Sequence, residues 1–134
     1  MMEGLRALLA AEATITTYTS TRIYLEYAQQ GAALPYIIIS QLTSEEFGTL
    51  DNTTGILRAL TIDINCKAAR VVTALALSKA VRAYIQDYSG AAGSETIDAV
   101  ILNNEQTDIE PPTDGSDVPI AVANLDLTVQ YRPT

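Results

Sequence analysis

The chain has 134 residues, 48% of them hydrophobic, which suits one domain with one core, and its periodic apolar pattern excludes global disorder. With 16 acids against 8 bases the net charge is −8, which argues against tight nucleic-acid binding, since that rests on clustered Lys and Arg. There is no histidine, so the commonest general base and the commonest metal ligand are both missing.

Met2–Ala11 reads as a first short helix, with Leu5, Leu8 and Leu9 on one stripe and Glu3 suited to the positive end of the helix dipole. Leu5–Ala11 is too short and too weakly basic at its start for a secretory signal, and no apolar run reaches the roughly 18 residues a membrane helix needs. A soluble protein made in the cytosol, with no membrane partner, is expected. Thr14–Thr21 is rich in Thr and Ser and is expected to stop the helix. Ile23–Tyr27 has the composition of a short edge strand, and Gln29–Leu34 is a loop that bends at Gly31.

Pro35–Leu42 predicts a strand, because a proline fits its first position. Tyr36, Ile37, Ile38 and Ile39 in succession predict cover on both faces, from helices or from a neighbouring subunit. Ser44–Gly55 reads as a polar loop longer than the usual hairpin connection, carrying Glu45, Glu46, Asp51 and the only phenylalanine, Phe47. Two readings of it stand: an arm that reaches a partner, or a surface loop with Phe47 folded back on the sheet.

Ile56–Cys66 alternates. Leu60, Ile62, Ile64 and Cys66 share one face, and Ala59, Thr61, Asp63 and Asn65 the other, as in a half-buried antiparallel strand. Cys66 is the only cysteine, so no intrachain disulfide can form, and its apolar surroundings predict a buried structural thiol. Arg70–Tyr88 carries the clearest helical rhythm. At about 100° per residue Ala74, Leu77, Val81, Tyr84, Ile85 and Tyr88 fall on one face, which should lie on the sheet. The far face carries Lys79, Arg82 and Gln86 together with Val72 and Leu75. Either the two aliphatics are ordinary scattered surface residues, or Val72, Leu75, Lys79, Arg82 and Gln86 form a half-apolar face that meets another subunit.

Ser89–Ser94, with Gly90 and Gly93, is expected to end this helix and turn the chain. Thr96–Glu105 predicts a strand whose alternation is clear only around Ile97, Ala99 and Ile101 against Asp98, Val100 and Leu102. Thr107–Asp117 holds Pro111-Pro112 and Asp114-Gly115, both turn signals. Its acids Asp108, Glu110, Asp114 and Asp117 lack the dense alternation of a calcium loop and read as a solvated turn. Val118–Arg132 is the last strand, apolar at odd positions from Ala121 to Tyr131, with Asn124, Asp126, Thr128, Gln130 and Arg132 pointing the other way.

These elements predict a single α+β domain over residues 1–134. It would hold a mainly antiparallel sheet of about four strands, with a long helix and a short N-terminal helix packed on one face. No catalytic residue, cofactor or metal is expected. The seven glycines never approach a phosphate-binding spacing, and metal-ligand spacing is absent. A Ser or Thr nucleophile would need a lysine base, and neither Lys67 nor Lys79 has a motif around it.

Five stretches carry a more specific resemblance. They are LRALLAAEATITTYTSTRIY (Leu5–Tyr24), QGAALPYIIISQ (Gln30–Gln41), LRALTIDINCKA (Leu57–Ala68), ALALSKAVRAYI (Ala74–Ile85) and TDGSDVPIAVANLDLTVQYR (Thr113–Arg132). In this order they resemble the tail-completion or tail-terminator proteins of long-tailed bacteriophages and related gene-transfer particles. The family often has an aromatic residue where this chain has Cys66 and Lys67. The resemblance implies a non-enzymatic virion protein at the head-proximal end of the tail. Relatives form a six-membered ring that ends growth of the tail tube and presents a surface to the head–tail connector. The implied partners are further copies of the chain, the tail-tube protein and a connector or stopper protein, with DNA passing through unbound. Glu45, Glu46, Phe47 and Asp51 would then reach the tube or an adjacent subunit. Alternatives are another connector component such as a stopper, a tail-tube subunit, or a small non-viral α+β binding module.

Overall fold

The structure is a computed structural model that describes residues 1–29, 32–47, 57–111 and 119–132. Three helices and six strands follow in the order α1 (Met2–Ala10), α2 (Ala13–Thr19), β1 (Ile23–Leu25), β2 (Tyr36–Phe47), β3 (Leu57–Ala68), α3 (Val71–Ile85), β4 (Gly90–Ala92), β5 (Glu95–Glu110) and β6 (Ile120–Arg132). The strands form one curled sheet in the order β1-β2-β3-β6-β5-β4. β1 runs parallel to β2, and every other pairing is antiparallel.

The expected architecture of about four antiparallel strands with a long and a short helix is therefore corrected to a six-stranded mixed sheet with three helices. β4 lies in the stretch whose sequence reads as a turn, and β1 in the stretch that reads as a short edge strand. Each is three residues long, too short for an alternating pattern, and each exists through its pairing with a longer neighbour. The third helix, α2, replaces the expected helix stop. Its N-cap residue Glu12 accepts a side-chain hydrogen bond from the Thr14 N–H at 3.4 Å, and the Thr17 hydroxyl donates to the Ala13 carbonyl at 2.7 Å. Ile15 and Thr19 are buried under it, so burial outweighs the poor helix propensity of threonine.

The long strands also run further than expected. β2 continues past Leu42 to Phe47, and β5 continues past Glu105 to Glu110, converting parts of both expected loops to ladder. β5 breaks its own alternation. Bulges between Ile97 and Ala99 and between Leu102 and Asn104 shift the register against β6. A bulge reverses the side-chain alternation downstream of it. Ile97 and Val100 are accordingly buried, with Leu102 half-buried, where the sequence pattern had grouped Ile97 with Ala99 and Ile101.

All three helices pack on one face of the sheet. The core between them holds Leu5, Leu9 and Ile15 from the first two helices and Ala74, Leu77, Val81 and Ile85 from α3. Beneath lie Ile37, Ile39, Leu60, Ile62, Ile64 and Cys66 from β2 and β3, and Leu125, Leu127, Val129 and Tyr131 from β6. Burial pushes the Cys66 thiol up to about 12, which makes it inert. α3 ends at Ile85 rather than Tyr88, because Gln86 is extended and Asp87 takes a φ of 63°. α1 lies so close to β4 that a Cβ on Gly4 would sit 2.6 Å from the Ala92 carbonyl oxygen.

Candidate assembly surfaces

The outer stripe of α3 carries the candidate subunit contacts that the sequence offers as one of two readings. Val72 is 69% exposed and Leu75 47%, with Lys79 and Gln86 also exposed and Arg82 half-buried. Val72, Leu75 and Lys79 are exposed on α3 itself, and Gln86 is exposed just past its end. Arg82 turns toward the sheet and donates to a Glu105 carboxylate oxygen at 2.5 Å. That ion pair ties α3 to β5, and the two run antiparallel, since α3 follows β3 back along the sheet. Exposed Val71 extends the apolar stripe toward the helix N-terminus.

The second predicted surface changes character. Glu45 is exposed on a strand, not on a loop, opposite Ala59 of β3. Glu46 and Phe47 continue that strand opposite Arg58 and Leu57. The side chains of Glu46 and Phe47, and Asp51 altogether, lie outside the described residues. The acidic turn is divided in the same way. Asp108 and Glu110 belong to β5, and Asp114 and Asp117 lie outside the described residues. Glu110 accepts an ion pair from Lys67 at 2.8 Å, which also takes up one of the two lysines considered as a base. Among the described residues no group of three or more potential metal ligands occurs.

A third surface emerges only from strand register. The face of the sheet that carries no helix among the described residues brings polar residues of β3 and β6 together in cross-strand pairs: Thr61 with Thr128, Asp63 with Asp126, Asn65 with Asn124. The Asn124 amide donates to Asn65 Oδ1 at 2.8 Å, and the Asn103 amide donates to the Thr128 hydroxyl at 2.7 Å. The Asp63 carboxyl is held above its ordinary value, first by partial burial and then by the Asp126 charge, with a hydrogen bond from Asn124 opposing. Like charges directly opposite one another on a sheet are unfavourable. The alternation of each strand was visible in sequence; the juxtaposition was not, because it depends on which strands pair.

An open groove of about 530 Å³ separates α2 from α3. Glu12 and Tyr18 line it from the α2 side, and Ala76, Lys79, Ala80, Ala83 and Tyr84 from α3. No helix among the described residues is long and apolar enough to cross a membrane.

Comparison with known proteins places this architecture. The sequence model of the family described as tail completion protein gp17 matches residues 3–122. The chain belongs to that family, and it is accordingly a structural component of a phage-type tail, located in the virion. Among solved structures, 22 chains match. One is a chain from the virion of a native gene transfer agent particle, with a TM-score of 0.65 at 15% identity, over 96% of this chain and 91% of that one. At that identity the likeness is one of fold. No curated protein matches.

Proposed function

We propose that the protein closes the head-proximal end of a tail tube as a ring of six copies, ends tube growth there, and offers the surface on which the head–tail connector docks. The family match over residues 3–122 carries this reading. The two faces of the sheet support it: one is buried under helices, and the other is an uncovered polar surface fit to line a passage. The protein acts by contact, with no chemistry of its own.

Six copies at −8 each would bring the ring to a formal charge of −48. Asp63 and Asp126, on the uncovered face, would be among the charges lining the channel. Like charge raises the cost of close phosphate approach, so DNA would slide rather than stick. The outer stripe of α3, through Val72, Leu75, Lys79 and Gln86, would meet a neighbouring subunit. The Glu45–Phe47 end of β2 and Asp51 would face the tube or that neighbour.

Electron microscopy of purified tail tubes with and without the added protein tests the reading. The expected result is density at one end of each tube and an arrest of elongation. Density spread along the tube, or tubes that keep growing, would overturn it. Retention of duplex DNA on the purified protein at low salt would count against the channel assignment.

A further inference from the structure

Among the described residues, the two borders of the sheet are closed for only part of their length. On one border β1 covers β2 along Ile37–Ile39. Glu26 then takes over: its backbone N–H donates to the Ile39 carbonyl at 2.8 Å, and its carboxylate accepts from the Gln41 N–H at 3.0 Å. A φ of 68° at Glu26 carries the chain away from the sheet. On the other border β4 covers β5 along Glu95–Ile97, and the Asp87 N–H donates to the Val100 carbonyl at 3.3 Å. Beyond Gln41 and beyond Val100, among the described residues, no strand lies outside β2 or β5. Each open stretch is the C-terminal part of its strand. β2 and β5 run in opposite directions, so the two open edges lie at opposite ends of the sheet.

A long unpaired edge is a template for another strand, and acidic side chains are one usual defence against that. Here the defence is partly cancelled, because Glu105 is held by Arg82 and Glu110 by Lys67. The edges also present apolar side chains: Leu42 is 51% exposed, Ile101 47% and Ile109 56%. We infer that the open edge of β5 in one copy pairs with the open edge of β2 in the next, joining the sheets of neighbouring subunits. This rests on the ring reading and specifies how its members are held.

A second copy is the occupant because each copy carries both halves of the contact. Two copies set side by side in the same orientation bring β5 of one against β2 of the other in antiparallel sense, the more favourable pairing. The contact is head-to-tail, so it closes into a ring when the rotation closes. The diagonal placement of the edges staggers neighbours along the strand direction, as strands tilted around a cylinder require. Backbone hydrogen bonds supply the affinity, and the apolar side chains supply the register.

Three variants, each adding one exposed cysteine, test this, since Cys66 is buried and inert. Ser44→Cys protein is mixed with Gln106→Cys protein or with Thr107→Cys protein, all three sites being exposed, and oxidised mildly once rings or tube caps have formed. One of the two mixtures is expected to give the mixed disulfide in about tenfold or greater excess over either homodimer, equivalent to about 1.4 kcal/mol or more of preference. Rings or caps that form with no mixed disulfide, or with homodimers in excess, would sink the edge pairing and leave the ring reading intact. Failure of the unsubstituted protein to form rings or caps at all would remove both.

Proline supplies an independent arm. Successive N–H groups of a strand point to opposite sides, so of Gln106→Pro and Thr107→Pro one breaks the bond to β6 and the other blocks only the open edge. The variant that keeps its melting temperature is expected to lose ring or cap formation. Assembly by that folded variant at the level of the unsubstituted protein would overturn the proposal.

Discussion

The two faces of the sheet are built from the same strands and obey opposite rules. On the helix-covered face, β3 and β6 contribute Leu60, Ile62, Ile64, Leu125, Leu127 and Val129, all buried and close-packed. One residue away along each strand lie Thr61, Asp63, Asn65, Asn124, Asp126 and Thr128, all half-buried, with side-chain hydrogen bonds across strands at Asn65, Asn124 and Thr128. Stability therefore resides on one face. The other is free to carry charge and to accept substitutions that a core would refuse.

Ile64→Ala breaks the covered face most severely. It is expected to cost about 2–5 kcal/mol in denaturant unfolding, through lost transfer energy and the cavity left behind. Thr61→Ala, three positions earlier on the open face, should stay within about 0.5 kcal/mol. Equal losses for the two would erase the distinction between the faces. Gly4→Val comes next, because the new side chain meets the Ala92 backbone at once. It should lower stability by about 1–3 kcal/mol, the usual cost of overpacking, unless α1 lifts from β4.

Asp63→Asn sharpens the comparison from the opposite side, as a substitution expected to stabilise. A carboxyl whose folded pKa is raised binds its proton more tightly folded than unfolded, so its charged form is the penalised one. The penalty is absent below the unfolded value of about 3.9, grows as pH rises through the raised folded value, and is complete above it. The variant should gain about 0.2–1 kcal/mol at pH 7 and nothing near pH 3. A gain that is the same at both pH values would mean that the Asp63 charge is not its source. Leu75→Asp has the smallest expected effect on folding, within about 0.5 kcal/mol, since the side chain is exposed. It should nonetheless abolish ring or cap formation seen by electron microscopy. Unchanged assembly would remove the helix stripe from the interface.

The sequence was most legible where the pattern is local and uninterrupted. α3 announces its buried side through Ala74, Leu77, Val81 and Ile85, and β3 and β6 through strict alternation. It was least legible where a distant partner decides the outcome. α2 is a threonine-rich segment made helical by what Ile15 and Thr19 are buried against, and β5 hides two bulges that invert its pattern. The exposure of Val72 and Leu75 followed from helical geometry alone. The edge closures by Glu26 and Asp87 had no signature, because non-glycine residues of positive φ look like any other acid in a sequence. The pairing of Asp63 with Asp126 likewise needed the β3–β6 register.

The ladder from Arg58–Tyr131 to Ala68–Ala121 runs through the middle of the sheet, with β2 folding back on β3 at Phe47–Leu57 and β5 on β6 at Glu110–Ile120. Those two reversals sit at opposite poles. The central pair thus serves as a strut that insulates one tip from the other. Lengthening or exchanging the chain at one pole would remake the surface there while the far pole kept its shape, so the two ends of the subunit can change independently of each other.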